Sequence, residues 1–171
     1  MNRHALGITL TIIGLVACIS TASAVDNKGY APVTQTPETI TVYINGMDKQ
    51  GGKLLLQTDE IQWFEGEAAD EAFVMEEPDS GLDKAPDGYY IVNDDETLKT
   101  LEVDPHAAVI MQIYDRTGSL VNASTEWNQA ISLDKFEAVY HADGLVTVSD
   151  YPYHLTIKNG KVTRIVQQFI P

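Results

Sequence analysis

The sequence predicts a mostly β fold with two short helices (α+β), built as a small antiparallel, partly closed barrel or strongly curved sheet. Three observations lead there. Short runs of alternating apolar and polar residues recur along the chain, separated by Asn, Asp, Gly and Pro at turn positions. One pair of runs flanks Asn159-Gly160, the two-residue signature of a type I′ hairpin turn. Only two segments carry apolar residues at helical spacing.

Residues 39–44 alternate and are rich in β-branched side chains, and Asn45-Gly46 ends them with a turn signal. Residues 53–57 make a second short strand. Residues 59–75 then read as a helix, with Ile61, Phe64, Ala68, Ala72 and Met75 three or four apart, Ala69 and Phe73 widening the stripe and Asp59 as cap. Gly66 inside that helix costs about 1 kcal/mol, so a start after Gly66 stays open. Residues 78–88 are a loop punctuated by Pro and Gly.

Strands follow at 89–92, 98–103 and 108–114, with turns at Asn93-Asp94-Asp95 and Asp104-Pro105. Residues 115–118 turn again and 122–128 form a polar loop. Ser132 is placed to cap a helix that runs to about Tyr140, with Leu133, Phe136 and Val139 or Tyr140 facing inward. Residues 153–158 and 161–167 are the hairpin. Tyr153, Leu155 and Ile157 share one face of its first strand; in the second, Val162, Arg164 and Val166 alternate with Thr163, Ile165 and Gln167.

The chain has 171 residues, enough for one domain and too few for a TIM barrel of about 250 residues. With 44% apolar residues and fourteen aromatics it is neither disordered nor fibrous. Residues 1–24 stand apart. A basic start at Arg3 and His4, an apolar run at 5–19 and Ala22-Ser23-Ala24 have the form of a secretory signal cleaved before Val25. The apolar run is shorter than the roughly 20 residues that span a bilayer. Leu15-Val16-Ala17-Cys18 offers a second reading, a bacterial lipobox in which Cys18 is lipidated and becomes the new N-terminus. Both readings export the protein, and the second anchors it. Residues 25–38 then serve as a flexible lead-in and 39–171 as the domain. Cys18 is the single cysteine, so the exported domain has no disulfide, Cys-based zinc site or thiol nucleophile.

The formal net charge is -14, which argues against nucleic acid or an anionic membrane as the main partner. That charge is polarised. Residues 59–104 hold 16 acids against Lys84 and Lys99, and the remainder of the chain is balanced. A solvated acidic surface explains this, and a cation, an envelope component or a basic protein is the partner class it would favour. Asp79, Asp83 and Asp87, spaced by four around Gly81 and Gly88, are candidates for weak calcium binding, without the EF-hand pattern. No motif calls for any other cofactor.

Candidate chemistry is sparse. His106, His141 and His154 lack metal-motif spacing, and no nucleophile elbow accompanies Ser149, Asp150 and His154. Ser132-Leu133-Asp134-Lys135 matches S-x-x-K, but the chain is too short for the penicillin-binding fold and a helix cap accounts for the residues. Asn122-Ala123-Ser124 is an N-glycosylation sequon, meaningful only in a eukaryote. Among aromatics, Trp63, Tyr89, Tyr151 and Tyr153 are candidates for a binding patch if exposed and core anchors if not.

The pattern Trp63-Phe64-x-Gly66-x-x-Ala69, the run Gly88-Tyr89-Tyr90-Ile91-Val92-Asn93 with Leu98-Lys99-Thr100-Leu101, and the closing Tyr153-His154-Leu155-Thr156-Ile157-x-Asn159-Gly160-Lys161-Val162-x-Arg164-Ile165 carry a resemblance. Across roughly residues 40–171 the chain resembles a group of small exported or lipid-anchored bacterial proteins, mainly Gram-positive, with no established activity. The resemblance implies a single bacterial extracytoplasmic domain and supplies no catalytic residue, substrate or cofactor. The leading expectation is a non-enzymatic binding or structural domain outside the cytoplasm. The alternatives are a small secreted hydrolase using Asp/Glu with His106 or His154, and an inhibitor or regulator of an exported enzyme.

Overall fold

The computed structural model describes residues 29–116, 126–142, 144 and 146–170. Residues 1–24, expected to be a signal segment and including Cys18, and the Asn122 sequon lie outside them. Within the described residues the order is β1 (Thr39–Gln50), β2 (Lys53–Glu65), α1 (Glu67–Glu76), β3 (Tyr89–Val92), β4 (Lys99–Met111), β5 (Gln129–Ile131), α2 (Leu133–Tyr140), β6 (Tyr153–Lys158) and β7 (Lys161–Gln167), with a 3-10 turn at Val148–Asp150. No helix among them is long and apolar enough to cross a membrane.

β1 and β2 form a long hairpin whose two-residue turn, Gly51-Gly52, has both residues at positive φ, as a turn matching the strand twist requires. β1 also pairs antiparallel with β6, and β6 with β7 through the expected Asn159-Gly160 turn, at φ 52° and 75°. β7 runs parallel to β4, and β4 pairs antiparallel with β2. The pairings therefore close in the cycle β1–β2–β4–β7–β6, a small, partly closed five-stranded barrel with β3 and β5 as extra strands. Val42, Ile44, Leu56, Val109, Tyr153, Leu155, Val162 and Ile165 fill it and are essentially inaccessible to solvent.

The expected turn at Asn45-Gly46 is instead a register shift within β1, which runs on to Gln50, and the structure departs from the sequence reading in four further places. Residues 59–65 are strand, and only Glu67–Glu76 is helical. Ladder bonds to β1 on one side and β3 on the other outweigh a helical spacing that Gly66, at φ 59°, interrupts anyway. The buried residues of α1 are Ala69 and Phe73, packed on Phe64, Ala85 and Tyr90, while Met75 is exposed. Second, the expected strands 98–103 and 108–114 are one strand, bent where the β4–β7 register shifts between Val103 and Ala108. Pro105 has no N–H to give the ladder, and Asp104 Oδ1 accepts from the His106 N–H at 2.8 Å, so the turn signal produces a bend. Third, residues 129–131, left unassigned between the polar loop at 122–128 and the Ser132 cap, form the short strand β5. Fourth, β7 carries a bulge opposite Thr156 and Ile157, which resets its alternation and turns both Val162 and Ile165 into the core.

Ser132 caps α2 as expected, its Oγ accepting from the Lys135 N–H at 3.1 Å. Phe136 and Val139 face the barrel, and the Tyr140 hydroxyl donates to the Ile44 carbonyl at 2.9 Å, tying the helix to β1. Residues 29–38, expected as a flexible lead-in, have no strand or helix before Thr39 yet are held to the body. Tyr30 packs against Trp127 and Phe169, and the Gly29 carbonyl accepts from Asn128 Nδ2 at 2.6 Å.

Phe136 is wholly buried and meets the Tyr153 ring edge-on at 5.7 Å. Phe136→Ala removes that plug from the core, and urea unfolding followed by far-UV circular dichroism should report a loss of about 3–5 kcal/mol.

Candidate functional site

A cleft of about 710 Å³ lies where α2 meets the turns of two hairpins. Its floor is apolar: Leu54, Val103, Pro105, Ala107 and Leu133. Its rim is charged, with Lys49, Lys53 and Lys161 facing Glu102, Asp134 and Glu137. The volume is in the usual range for a small-molecule site, and an apolar floor with a few polar groups is the usual composition. Local structure explains each rim position. Lys53 and Lys161 each follow a two-residue turn, Gly51-Gly52 and Asn159-Gly160, and so open the second strand of their hairpins. Glu102 sits in β4 just before the bend and is the register partner of Leu55 and of Lys161.

Glu102 is shared. Its Oε2 is 2.8 Å from Lys53 Nζ and its Oε1 is 2.6 Å from Lys161 Nζ. Hydrogen bonds from Lys161 and then Lys53 hold its carboxyl below the usual carboxylate range. Across the cleft Lys49 pairs with Glu137 and reaches Asp134 at 3.8 Å. One corner thus has two ammonium groups to one carboxylate, and the other has the reverse. His106 lines the same cleft, exposed on the bend of β4.

A second polar group lies on the outside of β1 and β6, beneath residues 29–38 and 168–169. His154 is the β6 partner of Thr41 and both are buried. The protonation pattern follows from the amide beside it. Gln168 Nε2 donates to Glu65 Oε1 at 3.2 Å and to the Phe169 carbonyl at 2.7 Å, so Gln168 Oε1 is the atom facing His154 Nε2 at 2.8 Å. Nε2 therefore carries the proton, and Nδ1 accepts from Gln35 Nε2 and the Thr41 hydroxyl, both at 3.0 Å. Burial lowers the His154 pKa from its ordinary value, against the opposing pull of Gln168 and Glu65. Nearby, burial and then the Glu65 charge push the Tyr30 phenol up to about 12. His154 is thus a neutral clamp joining residues 29–38 to the C-terminal tail. Neither Ser149 nor Asp150 is among its partners.

The remaining candidates fall as follows. Trp63 and Tyr89 come together, with ring centroids 4.9 Å apart and planes within 11°. Tyr151 is half-buried elsewhere, and Tyr153 lies wholly inside the barrel, its hydroxyl donating to the Val148 carbonyl at 2.9 Å. Tyr153 is therefore a core anchor. His141 caps the C-terminal end of α2. Among the described residues no group of three or more His, Cys, Asp or Glu could hold a metal ion, so Asp79, Asp83 and Asp87 are not gathered into one. The sequence reading passed over Lys49, Lys53, Lys161 and Glu102. A signal was present, since two tight turns each end in a lysine, but their meeting at Glu102 depends on barrel closure.

No family model matches the chain, and neither a curated protein nor a solved structure does.

The clamp makes a pH-dependence testable. The folded pKa of His154 is depressed, so above about pH 6.5 the ring is neutral folded or unfolded and contributes no slope. As pH falls below that value the unfolded chain takes up the proton first, and stability drops until the folded pKa is passed. Urea unfolding at pH 7.5 and 5.5 should show this decline, at most about 1.4 kcal/mol per pH unit, and His154→Gln should flatten it.

Proposed function

We propose that the chain is a non-enzymatic binding domain working outside the cytoplasm, and that it seats a small amphipathic anion in the cleft beside α2. The observation that carries this reading is the corner where Lys53 and Lys161 share the single carboxylate of Glu102 above an apolar floor. Glu102 is shared between Lys53 and Lys161, and Asp104 adds its charge beside Lys161, so it is the Lys53 ammonium whose charge is only partly matched. A ligand carboxylate or phosphate is the natural partner for it, with the ligand's apolar part on Leu54, Val103 and Leu133. The location agrees. Five-stranded Greek-key barrels of the OB type bind ligands beside the loops joining their first two and last two strands. Gly51-Gly52 and Asn159-Gly160 occupy those positions in this barrel. Fold alone does not determine function, so the argument rests on the charged corner.

The hydrolase reading is less well supported. A general acid needs a carboxyl with a raised pKa, and Glu102 is shifted downward by its two lysines. Export is supported by the signal-like residues 1–24 and by the resemblance to exported bacterial proteins.

Titrating isotope-labelled protein with phenylacetate, phenylphosphate and neutral phenylethanol tests the cleft by amide chemical shift. The anions should move the signals of Leu54, Val103, Ala107 and Leu133, and phenylethanol should bind more weakly. Replacing both Lys53 and Lys161 by Ala should weaken the anions about tenfold, whereas Glu102→Gln should strengthen them. Anion shifts that ignore these substitutions would falsify the reading. Intact mass of the exported protein separates the two processing routes: a start at Val25 gives a free protein, and a diacylglycerol adduct on Cys18 an anchored one.

A further inference from the structure

Asn-Gly occurs twice in the chain, at Asn45-Gly46 and at Asn159-Gly160. The pair is chemically reactive, because glycine has no side chain to shield its amide nitrogen from the asparagine carboxamide just before it. Whether the two groups can meet depends on how the fold holds them, and it holds the two pairs differently.

Gly46 is a ladder residue of β1, set opposite Gln57 in β2. Gln57 also packs on it, since a Cβ placed on Gly46 would stand 2.9 Å from Gln57 Oε1. Asn45 is exposed, but it lies at the register shift inside a twelve-residue strand. Turning the Gly46 nitrogen onto the Asn45 carboxamide would break β1–β2 pairing on both sides of it. Asn159 and Gly160 are both exposed and lie outside the strands, between the paired residues Lys158 and Lys161. No backbone hydrogen bond of the described turns uses the Gly160 N–H, and the Asn159 carboxamide has no hydrogen-bond partner among the described residues. An added Cβ on Gly160 would meet nothing within 4 Å. Bringing the reacting groups together there costs only a local opening of the hairpin tip.

We propose that Asn159 is a site of spontaneous deamidation in the folded protein, while Asn45 is protected by its strand. The Gly160 nitrogen attacks the Asn159 side-chain carbonyl carbon and closes a five-membered succinimide. The bond to the carboxamide nitrogen breaks, and that nitrogen leaves as ammonia with the proton from the Gly160 N–H. Water then opens the ring. Opening at the side-chain carbonyl gives aspartate, and opening at the Asn159 backbone carbonyl gives isoaspartate. Either product puts a carboxylate between Lys158 and Lys161, the lysine that pairs with Glu102. Asp-Gly also suits a type I′ turn, so aspartate keeps the hairpin. Isoaspartate adds a backbone carbon to a two-residue turn and loosens the pairing of Lys158 with Lys161. The reaction needs no ligand in the cleft, so it stands or falls apart from the binding reading.

Mass spectrometry tests the assignment. Full-length protein is incubated at mildly alkaline pH, folded or in urea, and its peptides are followed in time. Labelled methyl transfer from S-adenosylmethionine by an isoaspartyl methyltransferase identifies the isoaspartyl product. In folded protein the Asn159 peptide should gain one mass unit and accept methyl, while the Asn45 peptide stays unmodified. In urea both should react, as expected if the β1–β2 ladder is what protects Asn45. Asn159→Gly keeps the turn, because Gly51-Gly52 already turns the other hairpin with both residues at positive φ. The folded variant should hold its intact mass over the same incubation. An Asn159 that reacts no faster than Asn45 in folded protein overturns the inference, as does a mass gain that persists in folded Asn159→Gly.

Discussion

β4 must hydrogen-bond to three neighbours, and the barrel closes because this strand bends between Val103 and Ala108. Its first half lies against β2 and the start of β7, its second half against the end of β7 and β5. A straight strand of thirteen residues could not follow so small a closed sheet. The bend combines a proline, which gives up a ladder bond, with an aspartate whose side chain takes the next free N–H. The same bend supplies Val103, Pro105 and Ala107 to the cleft floor. Closure and the candidate site thus share one structural cause.

Because the domain has no cysteine, what holds it is burial, and the barrel interior is close to uniformly apolar. Polar groups are carried outward, to places where each can be satisfied. His154 illustrates the rule: its two ring nitrogens have three partners drawn from residues 29–38, from β1 and from the tail. Asp59 Oδ1 and Gln167 Nε2 are the exceptions among the described residues, two sealed polar atoms without a hydrogen-bond partner.

Charge is distributed by the same architecture. The acidic stretch becomes the outer part of β2, α1, the loop after it, β3 and the first part of β4. The lysines that line the cleft come from the ends of two hairpins, Lys49 and Lys53 on either side of one turn and Lys161 just after the other. The acidic stretch and the lysine-bearing strand ends thus come from different parts of the chain and meet at Glu102.

Much of this was legible in the chain. The closing hairpin, the Ser132 cap and the strands at 39–44, 53–57 and 89–92 rest on local chemistry: turn residues that tolerate positive φ, a hydroxyl three residues before an N–H, and period-two alternation. Residues 59–65 were not legible as strand, because their apolar spacing satisfies a helix equally well until β1 and β3 supply ladder partners. The single β4 was hidden because Asp-Pro marks a turn and a strand bend alike. What the sequence by itself determined was a mostly β domain, its acidic polarity and an N-terminal export signature. Only the tertiary structure decided that Lys53 and Lys161 meet on Glu102, that Tyr153 is core while Trp63 and Tyr89 are not, and that Asp59 is buried unpaired. Each of those depends on strand register and closure, which bring together residues tens of positions apart, such as Lys53 and Glu102 at 49, and nothing local in the sequence encodes that meeting.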